Sequence, residues 1–148
     1  MTIKHANLDS LEEIVALNTT IFSPLYEWPV FTLPEYQERL RDTRPFILVA
    51  EDNGKIVANS ISFEKDGYWY IWILGVSVEY RKQGIATRLF ETNEAHAKEL
   101  GYQRIRIKMY DVSKEMLTLV DERGYNIIET TEYENPKRWA FVVELDLK

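Results

Sequence analysis

The apolar run from Tyr70 to Val78 reads as a buried strand. Ahead of it, Phe46–Glu51 and Lys55–Glu64 read as two further strands joined by the tight turn Asp52-Asn-Gly54. A second turn, Lys65-Asp-Gly67, leads into a strand predicted over Tyr68–Glu79. Three antiparallel strands linked by short turns put the last of them well inside a sheet.

The pattern changes to a helical period on both sides. Ile3–Ala6 allows a short first strand, after which Leu11, Ile14, Val15, Ile21 and Phe22 fall on one helical face. Ser10-Leu-Glu-Glu13 has the form of a capping box at that helix's start. Two prolines within 23–30 stop it. Thr32-Leu-Pro-Glu35 is a second capping box, opening a helix over Leu33–Arg41.

Beyond the central strand, a helix over Gly84–Leu100 places Ala86, Leu89, Phe90, Ala97 and Leu100 on one face, and Gly101 ends it. Arg104–Tyr110 alternates as a strand, with Ile105, Ile107 and Met109 opposite Arg104, Arg106 and Lys108. Ser113 can cap a short helix reaching Arg123, stopped by Gly124. Asn126–Thr131 and Trp139–Leu147 close the chain as strands bridged by a charged loop with Pro136. The order β-α-α-β-β-β-α-β-α-β-β predicts an α/β (α+β) layer sheet with helices on both faces. The 148 residues, with no internal repeat, fit one domain spanning 1–148.

Charge and composition narrow the function. A net charge of −6 argues against general nucleic-acid binding, which needs a basic face, and mildly favours cationic partners. With no cysteine there is no disulfide, thiolate metal site or cysteine nucleophile. The N-terminus lacks the apolar core of a signal peptide and no run is long enough to span a membrane, so a cytoplasmic location without membrane association is expected. His5 and His96 are far apart in sequence and no carboxylate cluster supports a metal; His96 reads as an exposed helix position.

The chemistry concentrates where the central strand meets its helix. A helix N-terminus carries unpaired N–H groups and a partial positive charge. Gly84 and Ala86 keep side chains away from that end, Arg81 and Lys82 add cationic charge, and Thr87 and Arg88 add donors. A pyrophosphate suits this loop, although neither the P-loop nor the dinucleotide-binding glycine pattern is present. The plainer alternative is a solvated turn entering a helix.

Arg81-Lys-Gln-Gly84-Ile-Ala86 resembles the acetyl-CoA motif Gln/Arg-x-x-Gly-x-Gly/Ala of the GCN5-related N-acetyltransferase (GNAT) superfamily. Leu74-Gly-Val76 ahead of it, Gly124-Tyr125 after a short helix, and Val49–Val57 as second and third strands extend the resemblance over nearly the whole chain. It implies a mixed, mostly antiparallel sheet of six to seven strands flanked by about four helices. It also implies acetyl-CoA as donor. Backbone groups around Val76, Ser77 and Val78 would hold the pantetheine arm, in a gap between the fourth and fifth strands. Backbone N–H groups of Lys82, Gln83, Gly84, Ile85, Ala86 and Thr87, with Arg81, would hold the pyrophosphate, and Ser113 could touch the cofactor. The acceptor, a small-molecule or peptide amine, would lie between the first two helices, near Tyr26, Glu27, Trp28, Tyr70 and Trp72. Dimers are common among such proteins, which makes a homodimer one expected state.

The departures from the family pattern bear on catalysis. Val120 stands where the family often has the tyrosine that protonates the leaving thiolate, and Lys108 where its ribosomal-protein acetyltransferases often have glutamate. Ser113 replaces a frequent asparagine, and no carboxylate lies between Tyr68 and Val78. Tyr110 and Asp111, at the end of the fifth strand, are the remaining catalytic candidates, and Glu79 reads as a solvated loop residue. The expected activity is direct acetyl transfer to a primary amine in a ternary complex. The competing reading is an acyl-CoA-binding sensor or interaction module without turnover.

Overall fold

The computed structural model describes residues 1–24, 30–134 and 137–148. Its described strands form one sheet. β1 (Thr2–Ala6), β2 (Phe46–Asp52), β3 (Lys55–Lys65), β4 (Tyr68–Val76), β5 (Arg104–Tyr110), β6 (Asn126–Glu134) and β7 (Lys137–Asp146) stand in the order β1-β2-β3-β4-β5-β7-β6. Each neighbouring pair is antiparallel except β4–β5. The four described α-helices are α1 (Leu11–Phe22), α2 (Leu33–Leu40), α3 (Ile85–Glu99) and α4 (Lys114–Glu122). This agrees with the mixed, mostly antiparallel sheet of six to seven strands and about four helices that the resemblance implied.

The sheet has a core on each face. On one, Ile85, Leu89, Phe90 and Ala97 of α3 and Val120 of α4 pack with Trp69, Ile71, Leu74 and Val76 of β4 and with Ile105, Ile107 and Met109 of β5. On the other, Leu11 and Ile14 of α1 and Tyr36 and Leu40 of α2 meet Ile47, Val49, Ile61, Phe63 and Tyr70. Each helix therefore buries one stripe, as its period requires.

β4 changes face in mid-course. Ile71 pairs with Ser62 and Ile73 with Ile61, which leaves Trp72 as an extra residue opposite no partner. Such a bulge reverses side-chain alternation and bends the strand. Ile71 and Leu74 consequently share one core, while Tyr70, Trp72 and Ile73 belong to the other.

Two buried polar hubs pin helices to the sheet. Asn93 of α3 donates to Ser60 Oγ (3.0 Å) and to Leu89 O, and accepts from Ser62 Oγ (2.6 Å) and the Trp69 indole. Asn18 of α1 exchanges amide bonds with Asn59 of β3 and donates to Tyr36 Oη at 3.1 Å. Every partner is out of water, so the bonds fix one position for each helix.

Several local expectations are corrected. The first capping box does not form at Ser10. A 3₁₀ turn over Leu8–Ser10, capped by Asn7, already holds Ser10 in helical backbone, and Glu13 accepts instead from Ile56 N–H. The second box, Thr32–Glu35, is present. β4 ends at Val76 rather than Glu79, because Val78–Tyr80 forms a 3₁₀ turn held by a Tyr80–Asp52 hydrogen bond. Leu100 lies past the last turn of α3 and is exposed. His96 is half-buried, stacked flat on Phe46 with ring centres 3.8 Å apart. β6 and β7 extend to Glu134 and from Lys137, farther than the sequence suggested, so that segment is a long hairpin. Opposed pairs such as Thr130–Phe141 and Tyr133–Arg138 continue the ladder there.

Candidate functional site

The sheet opens between β4 and β5. These two strands pair only at Trp69–Ile105, Tyr70–Arg106 and Ile71–Ile107, although β4 continues to Val76 and β5 to Tyr110. The bulge at Trp72 lies at the point of divergence. A cavity of about 690 Å³ occupies the opening, large enough for an extended ligand. It runs from α1, α2 and the residues around Phe31, past the split, to the loop entering α3 and the start of α4.

Strand chemistry decides which backbone groups face the split. Ser77 N–H donates to Val57 O at 2.9 Å, on the β3 side. Alternation then turns the amide and carbonyl of Val76 toward the cavity. The Val76 carbonyl accepts there from Arg81 Nε at 3.1 Å, which folds the Arg81 side chain back against the strand end. Val76 lines the cavity, whereas Ser77 and Val78 do not, and Val78 is exposed. Of the three expected pantetheine contacts, the geometry brings only Val76 to the space.

At the loop, Gly84 caps α3 with φ +81°, a left-handed conformation that side chains disfavour. A Cβ placed there would touch nothing within 4 Å in the protein. The approach to the first turn of α3 is therefore open, and its leading N–H groups have no intrahelical acceptor. Arg81, Lys82, Gly84, Ile85, Ala86 and Thr87 line the cavity; Gln83 does not. An anionic pyrophosphate fits this arrangement in charge and in access. Gly75 serves packing instead, since a Cβ on it would meet Phe22 Cζ at 3.0 Å.

Tyr110 lines the cavity at the end of β5, beside Lys108, Val112 and Ser113. Burial raises the Tyr110 phenol above its ordinary value, Lys108 opposes this and Tyr133 adds to it, with a net rise. The phenol is thus a proton donor at neutral pH. Asp111 faces elsewhere: its Oδ2 accepts from Trp139 N–H at 3.1 Å, and it does not line the cavity. Ser113 lines the cavity at the start of α4, and its side chain makes no capping bond. Val120 is buried in the core and brings no hydroxyl to the split.

The end of the cavity where the acceptor was expected is bounded by Asn18, Phe22, Phe31, Tyr36, Tyr70 and Trp72. Tyr26, Glu27 and Trp28 lie outside the described residues. Two contributors were not singled out from sequence, and a third was noted only as a departure from the family pattern. Tyr36 and Arg39 reach the cavity from α2, and Lys108 does so from β5, donating to Tyr133 Oη at 2.9 Å. Burial works against the Lys108 ammonium, but the bond to Tyr133 and the surrounding phenols outweigh it and hold Lys108 above its usual value. Alternation along β5 already placed Lys108 and Tyr110 on one face, so that signal was available. Among the described residues there is no group of three His, Cys, Asp or Glu able to hold a metal, and no helix is long and apolar enough to cross a membrane.

Comparison with known proteins agrees with this geometry. The family model described as the acetyltransferase (GNAT) family matches residues 11–125. Mycothiol acetyltransferase of Propionibacterium freudenreichii subsp. shermanii is 20% identical over 138 residues, covering 88% of this chain and 44% of that protein. The chain thus spans less than half the length of that relative. Among solved structures, smu.2055 from Streptococcus mutans UA159 superposes with a TM-score of 0.85 at 17% identity, covering 100% of both chains. The ribosomal-protein-S18-alanine N-acetyltransferase from Escherichia coli gives 0.84 at 14% identity, covering 99% of this chain and 94% of that one. Likeness at such identity establishes the fold.

Proposed function

Since this chain belongs to the acetyltransferase (GNAT) family, we propose that it transfers an acetyl group from acetyl-CoA to a primary amine by direct attack in a ternary complex. The observation that carries this reading is the split between β4 and β5, which opens one cavity onto both a pyrophosphate-compatible loop and a separate aromatic pocket. The donor contributes an activated acetyl group as a thioester. Gly84, Ile85, Ala86 and Thr87 would hold its diphosphate through backbone N–H groups, with Lys82 adding charge. The Val76 N–H would hydrogen-bond the acetyl carbonyl and stabilise negative charge on its oxygen.

A neutral amine would form the new C–N bond as the C–S bond breaks. The Tyr110 phenol would return a proton to the departing sulfur, and water would take the proton lost by the amine. The described cavity lining has a single carboxylate, Glu115 on α4, so most of the rate enhancement would come from positioning and charge stabilisation. Asp111 has no part in this scheme, because its carboxylate is held on the β7 backbone.

One observation supports a second reading, an acyl-CoA-binding module without turnover: the family's usual acid position holds a buried Val120. Thiol release from acetyl-CoA with a panel of primary amines separates the two. Amine-dependent release supports the enzyme, and tight acetyl-CoA binding with no release from any amine supports the module.

A further inference from the structure

The acceptor end has a charge character that acetyl transfer alone does not require. Phe31, Tyr36 and Trp72 form one aromatic cluster, with ring centres 5.1 to 6.3 Å apart. The Arg39 guanidinium stands over Trp72, 5.3 Å from the ring centre. On β5, Lys108 Nζ lies 5.8 Å from the Tyr110 ring centre. Arg39, Tyr70 and Lys108 line the same cavity, and both cations act electrostatically on the Tyr70 phenol.

The described lining of the whole cavity holds five cations, Arg39, Arg81, Lys82, Lys108 and Lys114, against the one carboxylate of Glu115. Arg81 and Lys82 belong to the donor loop, and Lys114 stands at the start of α4. Arg39 and Lys108 remain, and neither has a carboxylate partner among the described residues.

Two positive charges without a carboxylate partner among the described residues repel an acceptor that carries further cations, such as a polyamine or a basic peptide. They favour one whose own anion neutralises them. The planar guanidinium matches a carboxylate in shape as well as charge. We propose that the acceptor is a small amine bearing a carboxylate and an apolar or aromatic body, with the carboxylate drawn to Arg39 and Lys108 and the body against Trp72 and Phe31. The same positive field favours the neutral form of the amine, which is the nucleophile. This assignment rests on the acetyl-transfer reading of the cavity and names the substrate class for it.

The test uses L-phenylalanine, L-tyrosine, L-leucine and L-methionine, each against the amine left when its carboxylate is removed. Calorimetric titration of the CoA-bound protein measures affinity, and thiol release from acetyl-CoA measures turnover. At least one amino acid should bind roughly ten- to a hundredfold more tightly than its decarboxylated counterpart, as loss of a charge-assisted hydrogen bond predicts. Arg39→Gln should remove most of that preference and Arg39→Lys part of it, through KM rather than kcat. Because Arg39 is exposed, both variants should fold. Equal or reversed affinities in every pair, or no binding by any amino acid, overturn the proposal. Preferential binding without thiol release supports the carboxylate site and overturns the acetyl-transfer reading, so the two failures are distinguishable.

Discussion

Ile71 and Ile107 are the last residues to pair between β4 and β5. Five residues of β4 and three of β5 continue beyond them without a ladder. Both side chains are buried in the core shared with α3 and α4, so the strands are clamped at one end and open at the other. The bulge at Trp72 follows directly and turns β4 away from β5. The opening between β4 and β5 is therefore a product of the sheet itself.

Gly84 should be sensitive in two separable ways. Gly84→Ala places a side chain at φ +81°, which should destabilise the fold by about 1 kcal/mol in urea denaturation. Gly84→Val should also weaken acetyl-CoA binding by more than roughly tenfold, because its Cβ stands in the open space at the start of α3 where the ligand would approach. Unchanged affinity in a folded Gly84→Val variant would show that the loop does not hold the diphosphate.

Tyr110→Phe should lower kcat on the order of a hundredfold while leaving KM for acetyl-CoA within about twofold, the signature of a lost proton donor. Burial holds the Tyr110 phenol above its ordinary value. A group needed in its protonated form loses function only as pH rises through its folded pKa. The wild-type kcat should therefore show no decline assignable to this acid below about pH 10. Equal turnover in the variant would remove Tyr110 from the mechanism.

Asn93→Ala should destabilise the protein by about 2 to 3 kcal/mol, measured by urea denaturation, since Ser60, Ser62 and the Trp69 indole all lose a partner out of water. A loss below about 0.5 kcal/mol would mean that water or a side-chain shift replaces the hub.

Stability should fall steeply above about pH 10. Burial, reinforced by the charge and hydrogen bond of Glu94, raises the Tyr125 phenol far above its unfolded value. The unfolded chain then releases this proton while the folded chain retains it, so its stabilising share is intact below about pH 10 and is lost as pH rises further. The slope contributed by this one group approaches about 1.4 kcal/mol per pH unit. Tyr125→Phe should flatten that alkaline slope, and an unchanged slope would assign it to another group.

The sequence made the element order readable because the chain obeys local rules almost everywhere. The turns Asp52-Asn-Gly54 and Lys65-Asp-Gly67 stand as expected, with Asn53, Gly54, Asp66 and Gly67 all at positive φ. The loop into α3 was legible from Gly84 and its cationic neighbours. What escaped depended on tertiary placement. The bulge at Trp72 follows from the pairing of two strands, so no local pattern announced where β4 would change face. No local pattern distinguishes Arg39 on the exposed face of α2; only packing sets it over Trp72. Asp111 appeared to be a cleft residue because it follows Tyr110, but its neighbour in space is the β7 backbone at Trp139.

The measurement closest to the central claim is a calorimetric titration of acetyl-CoA into the protein, run beside Gly84→Val. One site per chain, with a dissociation constant on the order of micromolar to a few hundred micromolar, is expected for the wild type, and a marked loss for the variant. Absence of binding at millimolar acetyl-CoA by the folded wild-type protein would contradict the assignment of the split between β4 and β5 as a donor site.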